Sequence, residues 1–246
     1  MAEAAGADVT GWGFGWLHGR ATEERPPWGY TALLADRLRH VESAVDIDTG
    51  GGEVLAEAPS FPARMVATES WAPNAERARH LLGPRGVRVI ETVPGAALPF
   101  PDASFELVTA RHPVRPDWAE IHRVLEPGGY YLAQHVGPAS AFELIEHFLG
   151  PLTEERHRRD PDREAAAAQD AGLVVTQVRT ARCRMEFSDI GAVVWILRKC
   201  VWWLPDFTVD KYVDTLAELD SRMRRGEPVI AHSSRHLIEA RRPSPQ

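Results

Sequence analysis

A chain of 246 residues, 44% hydrophobic and 26% charged, suits one folded core domain with an elaboration and excludes disordered and fibrous classes. Its formal net charge of −7 argues against an obligate nucleic-acid surface; the basic clusters Arg156-His157-Arg158-Arg159 and Arg222 to Arg225 read as solvated helix faces. Cys183 and Cys200 form no close-spaced pair, no secretory-type segment is visible and the longest apolar run is too short for a bilayer, so a cytoplasmic, membrane-free protein is expected.

The first 40 residues form an N-terminal extension in which Trp12, Phe14, Trp16, Trp28 and Tyr30 are interleaved with Gly and Pro. A helix is predicted from Thr31, as N-cap, to Arg39. At Ala44 the pattern changes. Ala44-Val45-Asp46-Ile47 reads as a buried parallel strand, Asp48-Thr49-Gly50-Gly51-Gly52 as a tight turn, and Gly52–Ala58 as a helix starting over a ligand. Glycine there suggests that a Cβ would occupy ligand space.

What the turn lacks narrows the ligand. A dinucleotide fingerprint wants a third glycine where Leu55 stands, and a phosphate loop wants a lysine that is absent. Asp46 would repel a pyrophosphate but suits a cation. The next strand, Arg64–Thr68, runs into Glu69, an acid placed for two ribose hydroxyls, with Trp71 available to lie against an adenine. Acid, glycine turn and second acid point to S-adenosylmethionine.

Further strands are predicted at Val87–Glu91, Phe105–Ala110, Gly129–His135, Leu173–Arg182 and His236–Arg241, and helices at Asn74–Leu82, Asp117–Val124, Ala141–Leu149 and Arg163–Ala171. The alternation implies an α/β, Rossmann-like, doubly wound and mostly parallel sheet of seven strands, with ligands at the strands' carboxyl ends. Residues 185–232 read as a helical insertion before the last strand, carrying helices at Asp189–Lys199 and about Val209–Arg224. Its aromatics, Trp195, Trp202, Trp203 and Phe207, read as the core of a cap or as walls of a pocket for a flat, apolar substrate. Domains are accordingly set at 1–40 for the extension and 41–246 for the cofactor-binding domain.

Three stretches carry a family resemblance in order: the glycine turn, Leu98-Pro99-Phe100-Pro101-Asp102-Ala103-Ser104-Phe105-Glu106-Leu107-Val108, and Glu120-Ile121-His122-Arg123-Val124-Leu125-Glu126-Pro127-Gly128-Gly129-Tyr130. Over roughly residues 44 to 137 the chain resembles a class I S-adenosylmethionine-dependent methyltransferase of the broad, type 11-like group that acts mostly on small molecules. Two positions depart from it: Asp48 stands at the family's first turn glycine, and Pro94 or a neighbour at an acid after the third strand.

The resemblance implies that Asp46, Thr49, Gly50 and Gly52 hold the methionine end of the cofactor, with Asp48 beside them. Glu69 takes the ribose, Ser70 and Trp71 the adenine side, and Arg111 a cofactor-positioning place. The N-terminal aromatics either cover the sheet edge or, as the resemblance implies, form a flap in which Tyr30 or His18 touches the ligand. His112, after the fourth strand, falls beside the transferable methyl and is the candidate base; His135 is the second candidate, with Gln134 beside it as a substrate partner. His232 and His236 are read as straddling a turn and a strand, so no metal site is expected. The function implied is methyl transfer to a small molecule, O-methylation slightly ahead of N or C, in secondary metabolism. The alternatives are an RNA methyltransferase and a protein of the same fold that transfers no methyl group.

Overall fold

The computed structural model describes residues 1–10 and 13–245; Trp12 lies outside the described residues. In chain order the elements are α1 (Ala2–Gly6), β1 (Ala21–Glu23), α2 (Tyr30–Leu38), β2 (Ser43–Ile47), α3 (Glu53–Ala56), β3 (Arg64–Glu69), α4 (Ala72–Leu82) and β4 (Arg88–Glu91). There follow β5 (Phe105–Arg111), α5 (Trp118–Val124), β6 (Leu125–Val136), α6 (Phe142–Leu149), α7 (Pro161–Asp170), β7 (Val174–Phe187), α8 (Ile190–Lys199), α9 (Val213–Arg224) and β8 (Val229–Arg241).

The sheet has eight strands in the order β1-β7-β8-β6-β5-β2-β3-β4. The pairs β2–β3, β2–β5, β3–β4 and β5–β6 are parallel, β6–β8 is antiparallel, and the short β1 pairs antiparallel with the end of β7. β1 is the strand that the periodicity does not announce: three residues are too few to show an alternation. The chain winds outward from β2 through β3 to β4 and then returns to the other side of β2 as β5. That reversal is the switch point where an open α/β sheet leaves a crevice.

The chain divides into two compact units, one of Met1–Arg25, Pro138–Arg158 and Arg182–Ser234, the other of Pro26–Gly137, Arg159–Ala181 and Arg235–Gln246. The second is the sheet unit. Val45, Val66, Phe105, Val108, Tyr131 and Ile238 form one core beneath α5, and Leu34, Leu55, Ala67, Leu82, Leu107 and Leu237 form another. The apolar runs on β2, β3 and β5 carry side chains into both, which is why they lack alternation.

The first unit is built around α8, nearly every residue of which is buried. Trp195 stacks on Trp16 at 5.8 Å and meets Phe14 edge-on at 6.0 Å. Lys199 Nζ donates to the carbonyls of Val9 and Thr10 at 3.0 and 3.1 Å. The N-terminal aromatics therefore divide: Phe14 and Trp16 belong to this helical unit, Trp28 and Tyr30 to the sheet unit. Among the described residues no helix is long and apolar enough to cross a membrane.

Two local expectations change. α2 begins at Tyr30 from a left-handed Gly29, with no side-chain cap, so Thr31 is not its N-cap. β8 extends back to Val229, so His232 and His236 share one strand rather than straddling a turn.

Candidate cofactor and acceptor site

β2 and β5 run side by side at the switch point, with Asp46 opposite Thr109 and Ile47 opposite Ala110. Thr109 Oγ1 donates to Asp46 Oδ1 at 2.6 Å. Burial pushes the Asp46 carboxyl up to about 6; hydroxyls of Thr109 and Thr49 oppose the rise, the charge of Asp48 adds to it, and Arg111 opposes it. Asp46 is thus a carboxylate held in a dry place by neutral donors.

Beyond Ile47 the backbone turns sharply. Asp48, Gly50 and Gly52 have φ of 54°, 65° and 84°. Left-handed backbone disfavours most side chains, and aspartate is one of the few that tolerate it. The glycines serve different ends. A Cβ on Gly50 would meet no atom within 4 Å, whereas one on Gly52 would lie 2.7 Å from Leu82 Cδ1. Gly52 is therefore small so that the turn can pack on α4, and Gly50 is the glycine with open space before it.

Glu69, at the end of β3, ties the turn down. Its Oε2 accepts from the Gly50 amide and its Oε1 from the Trp71 amide, both at 2.8 Å. Each oxygen keeps a second lone pair. The Thr49 amide donates to Thr68 O at 2.9 Å, so the turn is anchored twice on β3. Ser70 is half-buried, and Trp71 is 54% exposed at the head of α4. The Asp48 carboxyl is raised by burial first and by Glu69 second.

The residues expected on the acceptor side gather at the ends of β5 and β6. Arg111 is exposed, and its charge acts on Asp46, Tyr30 and His112. His112 is half-buried with φ of 59°, and its amide donates to Gln134 O at 2.7 Å. Gln134 Oε1 accepts from Trp28 Nε1 at 2.8 Å, and its Nε2 lies 3.0 Å from His112 Nε2. An indole N–H can only donate, which fixes the amide: oxygen toward Trp28, nitrogen toward His112. His112 Nε2 then accepts, and the ring's proton sits on Nδ1. Burial holds its pKa well below the usual histidine range, helped by the charges of Arg111 and Arg235, so the ring is neutral at pH 7. Tyr30 Oη donates to Ala110 O at 3.0 Å. Segment 26–30 is therefore fastened over the ends of β5 and β6; His18 belongs to the helical unit.

His135 points elsewhere. It is 2% exposed, its Nδ1 faces Glu164 Oε2 at 2.5 Å and its Nε2 faces Tyr131 Oη at 3.0 Å. His236 Nε2 reaches the same Glu164 oxygen at 2.8 Å. This grouping is missed by pattern reading. Glu164 sits 29 residues from His135, on a helix that reads as alanine-rich filler.

A methyltransferase-domain family model matches residues 45–133, the span that holds the turn, Glu69, His112 and β6 as far as Ala133. No curated protein matches the chain in sequence. Among solved structures, the YcgJ protein from Bacillus subtilis is similar, at 18% identity over 88% of this chain and 99% of that one, with a TM-score of 0.62. The (4+2)-cyclase SpnF gives 0.56 at 16% identity, over 87% of this chain and 81% of that one. A geranyl diphosphate methyltransferase in complex with S-adenosylmethionine gives 0.51 at 18% identity, over 86% of this chain and 84% of that one. With the switch-point crevice, the glycine turn and the acid after β3 in place, residues 45–133 match a methyltransferase-domain model and the chain has the fold of class I S-adenosylmethionine-dependent methyltransferases.

Proposed function

We propose that the chain is a methyltransferase that binds S-adenosylmethionine and transfers its methyl group to a small molecule, with oxygen as the acceptor atom and secondary metabolism as the setting. The observation that carries this reading is the Glu69 carboxylate, held by the Gly50 and Trp71 amides with a lone pair left on each oxygen. Two vicinal hydroxyls can donate to such a carboxylate, as a ribose would. The open space before Gly50 admits the rest of the cofactor, and Asp46 with Asp48 supplies negative charge for its ammonium and sulfonium. Thr49 and Gly52 shape the turn, Ser70 and Trp71 flank the adenine side, and Arg111 stands at the end of β5. When bound, the cofactor supplies a methyl group on a positively charged sulfur.

The chain's own part is to orient the acceptor and manage its proton. His112 is assigned that role. Its neutral ring is in the form a base needs, but Nε2 already accepts from Gln134. It takes a proton from a hydroxyl only by exchanging that partner, and otherwise positions the acceptor through Nδ1–H. Calorimetric titration with S-adenosylmethionine and S-adenosylhomocysteine tests the cofactor: one-to-one binding of both supports the reading, and no binding to a folded sample sinks it. Once an acceptor is found by screening, a His112→Ala variant with full turnover rejects the role of His112.

A second reading keeps the fold and the ligand without methyl transfer. It is favoured by Asp48, which puts a strained, partly buried carboxylate near Glu69, and SpnF is a cyclase of similar fold. An RNA acceptor has only the fold in its favour, against the net charge of −7.

A further inference from the structure

His135 and His236 face each other directly across the antiparallel β6–β8 ladder, and α7 lays Glu164 over the pair. One ring nitrogen of each histidine and one oxygen of Glu164 all lie within 4.8 Å of one another. We propose that His135 Nδ1, His236 Nε2 and Glu164 Oε2 form a binding site for a divalent transition-metal ion. The donor set is chemically apt: two imidazoles and one carboxylate suit zinc and its neighbours, and three protein ligands leave further coordination positions for water.

Three observations support a cation over a merely structural cluster. The three ligands come from three different elements, all in the sheet unit, so the cluster is fixed by the fold and not by a loop. His135 already has the outer support typical of a metal ligand: Tyr131 Oη sits on its far nitrogen at 3.0 Å, and Trp118 stacks on its ring at 6.2 Å. Finally, among the described residues His236 Nδ1 has no hydrogen-bond partner, so Nε2, which faces Glu164, is the ring nitrogen left to take a ligand.

The change needed is small. Ligand bonds of about 2.1 Å in tetrahedral array set donors about 3.4 Å apart, so the present contacts of 2.5 and 2.8 Å open by less than about 1 Å. The proton on His135 Nδ1 moves to Nε2, where the Tyr131 oxygen accepts it. His236 makes the corresponding tautomer change toward Nδ1. No oxidant or reductant is involved.

The test uses the full chain, stripped with a chelator and titrated with zinc against a competing chromophoric chelator. One equivalent is expected to bind to the wild type. Tyr131→Phe should weaken binding by roughly 10- to 100-fold, as loss of an outer partner does, and Glu164→Gln by more than that. His232→Ala, on the same strand outside the cluster, should leave the titration unchanged. Cobalt loaded in place of zinc should show the visible bands of a four- or five-coordinate nitrogen and oxygen site. Absence of stoichiometric zinc, or a Glu164→Gln protein that binds it as the wild type does, overturns the proposal. Should Glu164→Gln fail to fold, the cobalt spectrum of the wild type decides: six-coordinate or aqueous bands reject the site.

Discussion

Asp46 and Glu164 are both acids drawn out of water in the sheet unit, and their surroundings drive them in opposite directions. Asp46 is fully enclosed with only hydroxyls as donors, and burial carries its carboxyl up to about 6. Glu164 sits against two imidazoles whose hydrogen bonds overcome its burial and hold it down at about 2. Neutral donors do not compensate a desolvated charge, whereas donors that can themselves become cations do. The first acid thus remains in want of a cation, while the second is held by two ring nitrogens that bring it protons in the metal-free protein and share a metal ion with it in the site proposed above. Glu69, between the two in character, spends its oxygens on backbone amides instead of side chains.

The largest effect is expected at Glu69, because its loss strands two amides at once. Glu69→Ala should weaken S-adenosylmethionine by about 4 kcal/mol, close to a thousandfold, from the loss of two charge-assisted hydroxyl acceptors and of the turn geometry that the two amide contacts hold. Calorimetry reads it directly. Binding within a factor of ten of the wild type would show that the Gly50 and Trp71 contacts serve the fold alone.

Next comes Glu164. Its folded pKa lies below the unfolded one, so it contributes stability above about pH 4.5 that is lost as the pH falls toward 2. The shift corresponds to about 3 kcal/mol at pH 7, and Glu164→Gln should remove much of it while flattening the acid limb of the denaturation profile. Chemical denaturation at pH 7 and pH 3 measures both. A variant as stable as the wild type at pH 7 would mean that the two imidazoles are held by their other neighbours.

Asp46 should behave in the opposite sense. Its folded pKa is raised, so the fold favours the protonated acid: the penalty is fully present above about pH 6 and is relieved as the pH falls toward 4. Asp46→Asn should therefore stabilise the ligand-free protein at pH 8 by about 2 kcal/mol, yet weaken cofactor binding. In the wild type the ionised form is the one that attracts a cation, so affinity should fall by up to about tenfold per pH unit below 6. Affinity that stays flat from pH 7 to pH 5 would remove Asp46 from the cofactor's surroundings.

How far these features are legible in sequence depends on how local they are. The strand run Ala44–Ile47, the turn glycines and Glu69 lie within 26 residues, and each acts through a rule that composition obeys: buried parallel strands are apolar, left-handed turns want glycine, and an acid ends the next strand. What fails is the reason for Gly52. The pattern suggests ligand space, but the neighbour is Leu82 of α4, a contact no local rule supplies. β1 is too short to alternate, and the extended β8 hides because Val229–Arg235 mixes small, polar and charged residues. The Trp28–Gln134–His112 chain and the His135–Glu164–His236 cluster join residues 106, 22, 29 and 72 apart, and only the folded chain brings them together.

The smallest effect, about 1 kcal/mol, is the one that best separates the two functional readings. Asp48 holds φ of 54° and lies close enough to Glu69 for their charges to repel. Asp48→Gly relieves both the left-handed backbone and the repulsion, so it should raise stability by about 1 kcal/mol at pH 7. The added chain entropy of glycine takes back part of that gain. Affinity for S-adenosylmethionine carries the decision. A fall shows that the carboxylate contacts the cofactor and that the departure from glycine is an adaptation for holding it. A sharp rise shows that the carboxylate obstructs the cofactor, and the reading without methyl transfer then gains on the one preferred here.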